Sequence, residues 1–171
     1  MAGAVAAALL LSGCAGTVPV NYAPSSSLSA SGSIEVTDFK YMPAVNGKMK
    51  PNQVRNTALG TVLLDKNVDQ FFRDAVFTEL RFVGVKVAGS NKRLSGEINE
   101  FLIDDLGYSI DWTLDVHYVV TDMSGKTIYD STKTTKNRTA KFTEPLTALN
   151  VQLKQNIEAL IQDSNFVRAI N

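Results

Sequence analysis

Cys14 and His117 are each the sole residue of their type in this 171-residue chain. A lone cysteine cannot close an internal disulfide and cannot supply a cysteine-rich metal site. His117 follows Asp115 in a run that alternates polar and apolar residues, and a histidine beside a carboxylate is a residue pair used in proton transfer. Asp104, Asp105, Asp111 and Asp115 crowd the same stretch. Their oxygens would suit Ca²⁺ or Mg²⁺, but the spacing lacks the pattern and the closing bidentate Glu of a calcium loop. No second histidine, no serine on a nucleophile turn and no glycine-rich phosphate loop joins them. The expectation is therefore a solvated acidic face, with no catalytic residue, no metal, no cofactor and no enzyme activity. No ligand-binding residue can be named.

Cys14 carries a different chemistry. It ends the apolar opening MAGAVAAALLLSGC, in which Ala2 to Leu11 would rise about 15 Å as a helix, against roughly 30 Å of hydrocarbon core. The run is too short to span a bilayer and has the shape of a signal-peptide core with a small-residue cleavage site, although no Lys or Arg precedes it. Leu11-Ser12-Gly13-Cys14 resembles the bacterial lipobox at all four positions. That resemblance implies that Cys14 becomes the first mature residue, acylated on sulfur and nitrogen. Ala15, which is not Asp, implies delivery to the outer membrane. Two or three acyl chains hold a protein to a bilayer for practical purposes permanently.

The elements that would carry these residues follow from pattern. Residues 1–13 read as the signal peptide. Residues 14–33 are rich in Ser, Ala, Gly and Pro and free of charge, which is the composition of a flexible tether; an edge strand through Val18, Val20 and Tyr22 is the alternative. Residues 34–171 read as one α+β domain, large enough for an unaided core. Ile34 to Tyr41 is β-like, and 42–56 is a long basic loop. Asn67 with Gln70 has capping-box form, and Val68, Phe71, Phe72, Ala75, Val76, Leu80 and Val83 give an apolar helical stripe that Gly84 stops.

Leu94 to Ile103 alternates, but its apolar phase slips near Asn99-Glu100, which calls for a bulge. Ile110, Trp112, Leu114, Val116, Tyr118 and Val120 mark a long strand with one buried face. Asp122 to Gly125 turns it into a lysine-bearing edge strand. Pro145 opens a last helix with Leu146, Leu149, Leu153, Ile157, Leu160 and Ile161 inward. The predicted fold is a two-layer α+β sandwich: an antiparallel sheet of three to five strands with two amphipathic helices on one face.

Lys plus Arg (17) equals Asp plus Glu (17), so no net charge draws the chain to nucleic acid. The lipobox, the Ser-rich tether, NVDQFFRDAVFTELRFVGVKV, the strands RLSGEINEFLIDD and SIDWTLDVHYVVTDMSGKTIYDS and the C-terminal helix together resemble small Gram-negative outer-membrane lipoproteins of the YajG type. The layout is also similar to auxiliary lipoproteins of lipid ABC transporters and to the lipopolysaccharide-assembly lipoprotein LptE. The resemblance implies a lipid-anchored envelope protein facing the periplasm. Its partners would be the membrane, through the acyl chains on Cys14, and an envelope protein met in assembly or transport. A lipid- or glycan-binding module working between membranes is the alternative.

Overall fold

The computed structural model describes residues 17–58, 60–141 and 143–171; Cys14 and the signal-peptide reading of 1–13 lie outside them. Two long strands form the frame. β4 (Arg93–Asp104) and β5 (Ser109–Thr121) are antiparallel, and β6 (Thr127–Ala140) returns antiparallel beside β5. The phase slip in β4 is a bulge: pairing with β5 skips Asn99, between Ile98 and Glu100. At the β5–β6 turn the Asp122 carboxylate accepts from the backbone N–H of Ser124 and Lys126, and Gly125 takes φ +82°.

The other edge of β4 departs from the all-antiparallel expectation. β1 (Glu35–Tyr41) runs parallel along its first half, and β2 (Gln53–Asn56) runs parallel along its second half. Antiparallel β3 (Gly60–Leu63) closes a hairpin on β2, so the sheet is mixed and six-stranded, running β3-β2-β4-β5-β6 with β1 also on β4. The stretch read as a basic loop thus holds a helical turn, α1 (Met42–Val45), and a strand. Short strands of mostly polar residues such as QVRN carry little period-two signal.

Two long helices cover one sheet face. α2 (Val68–Phe82) starts after Asn67, whose side chain makes no cap; Asp69 instead accepts from the Gln70 N–H at 2.7 Å. Gly84, at φ +106°, ends it. α3 (Pro145–Ile161) is capped by Glu144, which accepts from the N–H groups of Leu146 and Thr147. A short α4 (Ser164–Ile170) tucks Phe166 and Ile170 inward. Phe39 of β1, Phe72 of α2 and Tyr118 of β5 meet with ring centroids 5.3 to 6.3 Å apart. Gly96 permits this: a Cβ there would stand 2.5 Å from the Phe39 ring.

α3 is bolted to the sheet by the fully buried Asn156, which accepts from the Tyr118 hydroxyl at 2.7 Å and donates to the Lys133 carbonyl at 2.8 Å. Beside it on α3, Gln152 is equally buried, yet neither its Nε2 nor its Oε1 has a partner among the described residues.

The expected tether is, from residue 17 onward, part of the fold. Val18 donates to the Leu63 carbonyl and accepts from the Asp65 N–H. Val20 and Tyr22 are buried, and Ala30 and Ser33 donate to the carbonyls of Val83 and Ile170. The lock is Glu79, which lies on the apolar stripe of α2 and is fully buried. Its carboxylate accepts from the Tyr22 hydroxyl and, at 2.7 Å, from the Ser26 N–H. Ser26 in turn donates its hydroxyl to Glu158 of α3 at 2.6 Å, so the strap lies over the seam between the two helices. Burial, reinforced by Glu79, pushes the Tyr22 hydroxyl far above its ordinary range. At Gly32 a Cβ would meet the Ile170 backbone oxygen at 2.8 Å, so the strap needs a residue without one.

Glu79→Ala would leave the Tyr22 hydroxyl and the Ser26 N–H buried without an acceptor, a cost of about 3 kcal/mol. Urea unfolding should show that loss, and limited proteolysis should cut within 17–33 well before the core. Cleavage no faster than in the parent would contradict the lock. Gln152→Met removes two orphaned polar atoms at similar volume and should raise stability by about 1 kcal/mol in the same assay; a loss would mean that Gln152 is satisfied in solution.

Candidate functional site

The sheet face away from α2 and α3 is polar, because alternate residues of β4, β5 and β6 point there. The residues singled out for chemistry lie on it or at its end, and they are dispersed into separate pairs. His117 Nε2 is 2.8 Å from Asp130 of β6, so its hydrogen-bonding carboxylate lies across the strand pair. Asp115 accepts from Asn99 Nδ2 at 2.9 Å and from the Thr134 hydroxyl. Asp111 takes Arg138 in a two-pronged pair at 2.6 and 2.8 Å, which holds its carboxyl below the usual range. Asp104 accepts from Thr57 at 2.7 Å, and Asp105 faces Lys141 at 3.3 Å. Among the described residues no group of three or more His, Cys, Asp or Glu side chains could hold a metal ion.

What the face does form is a groove of about 830 Å³ over the β4 bulge, roofed on one side by the excursion between β1 and β2. Leu102 and Thr113 line it from the sheet, and Met42, Pro43 and Met49 from the excursion. The excursion is tied down by Tyr41, a buried residue whose hydroxyl donates to Met49 Sδ at 3.4 Å and is pushed up to about 12 by burial. Charge at the rim is uneven. Arg55 is paired with Glu100 at 3.4 Å, while Asp115 accepts from the neutral Asn99 and Thr134 side chains and keeps its negative charge. Lys48 and Lys136 also border the groove and have no ion pair among the described residues. The site is thus an open slot with apolar patches, lined by three cations against two carboxylates, and suits an extended, amphipathic occupant that carries an anionic group.

In the sequence, 42–56 shows only as a long basic loop, because the slot arises when the β4 bulge and the excursion come together. A second cluster was not foreseen at all. Asp163, the N-cap of α4, accepts from Lys133 at 2.6 Å, from Tyr129 at 2.9 Å and from the Asn165 N–H. The Lys133 ammonium, aided by the other two donors, holds the Asp163 carboxyl down to about 2. The cluster borders a polar recess of about 480 Å³. Asp163 could have been flagged as a helix cap, but its lysine lies thirty residues away on β6.

No protein-family model and no curated protein matches the chain. Among solved structures, the fold is similar to that of the hypothetical protein CT253 from Chlamydia trachomatis, with 10% identity, 82% of this chain and 99% of that one covered, and a TM-score of 0.53. Looser similarities are to a minor lipoprotein from Acinetobacter baumannii, at 10% identity with 81% and 92% coverage and a TM-score of 0.40, and to lipoprotein GNA1162 from Neisseria meningitidis, at 13% identity with 77% and 99% coverage and a TM-score of 0.34. The first is a likeness of fold alone; the other two carry no argument.

Because the folded-state value of Asp163 lies below its unfolded value of about 3.9, its stabilisation is complete above about pH 4 and lost as pH falls through about 2. Unfolding free energy measured across that window should decline, and Asp163→Asn should flatten the decline while lowering stability at neutral pH by about 1 kcal/mol through the weakened cap and ion pair. An unchanged slope in the variant would contradict the assignment.

Proposed function

We propose that this chain is a lipid-anchored lipoprotein of the bacterial cell envelope. Its folded domain is held at the outer membrane, facing the periplasm, and engages another envelope protein in assembly or transport. The observation that carries the reading is Leu11-Ser12-Gly13-Cys14 directly after a ten-residue apolar run, in a chain whose described residues include no helix long and apolar enough to cross a membrane. The domain supports it with places for a partner: the cation-rimmed slot beneath the excursion, and the outer edges of β3 and β6, which end the sheet. An exposed strand edge can accept a partner strand, although the lysines of β6 discourage indiscriminate pairing.

One observation favours the second reading, a module that binds a lipid or glycan. A slot of about 830 Å³ is within the size range of small-molecule sites. It lies on the polar sheet face, whereas a carrier for acyl chains would open between sheet and helices, where the core here is closed.

In the native host, the mature protein should have an intact mass reporting acylation at Cys14 and should sediment with outer membranes. Cys14→Ser should abolish both the added mass and the sedimentation. A parent chain found unacylated in the soluble fraction would overturn the anchor. In-cell crosslinking from Lys48 and Lys136 then separates the two readings, a protein adduct favouring the first.

A further inference from the structure

The strap has a direction, and the direction selects which end of the domain meets the membrane. Its contacts run along α3 in order: Asn21 beside Asn150, Ser26 beside Glu158, Ser33 beside Ile170 of α4. The strap therefore begins near the start of α3 and ends near the C-terminus of the fold. Val18 also pairs with Leu64 in the parallel sense, just after β3, so the strap begins there running in the direction of that strand, away from its Gly60 end. Both relations point to the same end. β2 and β4 run parallel and finish there, with the Thr57 N–H donating to the Ile103 carbonyl and the Asp105 N–H to the Thr57 hydroxyl.

That end carries the β4–β5 loop, residues 105–108, which exposes two large apolar side chains: Leu106 at 74% and Tyr108 with its full surface. The loop is braced, because Lys141 donates to the Gly107 carbonyl at 3.1 Å while pairing with Asp105. Of the neighbouring charges, Asp111 is paired with Arg138, whereas Asp104 accepts from the neutral Thr57 hydroxyl and keeps its negative charge. An end with no unpaired cation on these residues presents apolar area without a pull toward anionic lipid.

Cys14 is three residues from residue 17, so its Cα lies within about 11 Å of the docked strap. A tether that short confines the domain to the bilayer surface, where even a weak contact is occupied most of the time. Tyrosine and leucine are suited to that depth, the ring sitting at headgroup level. Taking the lipid anchor of the proposed function as given, we propose that the 105–108 end of the domain rests on the bilayer, with Leu106 and Tyr108 inserted in its interface. The opposite end, marked by the exposed Met123 of the β5–β6 turn, then points into the periplasm.

The test uses the acylated full chain in vesicles of phosphatidylethanolamine with a minor fraction of phosphatidylglycerol. Leu106→Cys, Tyr108→Cys and Met123→Cys are each labelled with an environment-sensitive fluorophore, the Cys14 thiol being consumed by its lipid. Nitroxide-bearing lipid should quench the label at 106 and 108 and leave that at 123 at its lipid-free intensity. Halving the phosphatidylglycerol should not weaken the quenching at 106 and 108, because no attraction to anionic lipid holds that end. Equal quenching at all three positions, or none at 106 and 108 in a chain shown by mass to be acylated, would overturn the inference while leaving the anchor intact. A chain lacking acyl mass and remaining off the vesicles would overturn the anchor itself, and the inference with it.

Discussion

A buried carboxylate governs how this domain is connected to whatever precedes it. Glu79 sits on the apolar stripe of α2 with no access to water, and there it is tolerable only because the Tyr22 hydroxyl and the Ser26 N–H are brought to it. Both donors belong to the strap. Removing the strap would strand Glu79 in an apolar surface, and removing Glu79 would strand the strap's own donors; each makes the other obligatory. The seam between α2 and α3 is closed by this exchange, and Ser26 extends it to Glu158. What composition presents as a free linker is thereby a structural element that fixes where the chain enters the fold.

The two faces of the sheet divide the remaining work. One is packed: the aromatic cluster of Phe39, Phe72 and Tyr118, with Asn156 as the polar bolt, joins sheet and helices in a shared core. The other carries charge, but as matched pairs spread over three strands, so that histidine and aspartates adjacent in sequence have different partners in space. Where β4 bulges at Asn99 and the β1–β2 excursion folds over it, a groove forms whose lining carries Lys48, Arg55 and Lys136 against Glu100 and Asp115. A packed layer with a bulge on its open side can present a recognition surface, since a bulge bends its strand and re-aims the side chains around it.

The elements legible in the sequence were those whose own burial pattern is long and regular. Val68 to Val83, Ile110 to Val120 and Leu146 to Ile161 each carry enough period to define a helix or strand and its inward face, and the phase slip at Asn99-Glu100 announced the bulge. Three features were not legible. β2 and β3 are four residues each, below the length at which alternation registers, and the parallel pairing of β2 with β4 depends on a partner forty-seven residues away. The slot depends on the bulge and the excursion meeting in space. The strap was hidden because small uncharged residues favour both free linkers and close backbone approach, as Gly32 against Ile170 illustrates. One signal for it was present: Glu79 falls three residues from Val76 and four from Ala75 and Val83, on the stripe itself, where an acid demands a donor from elsewhere.

The account turns on the strap belonging to the folded unit, and amide hydrogen exchange on the full chain measures that directly. The N–H groups of Val18, Ser26, Ala30 and Ser33 each donate within the fold, so they should exchange only through opening events as costly as those that expose the neighbouring turns of α2. Exchange of these four amides at the rate of an unstructured peptide, while α2 stays protected, would show a loose leader beside an independent domain and would contradict the coupling on which the membrane orientation rests.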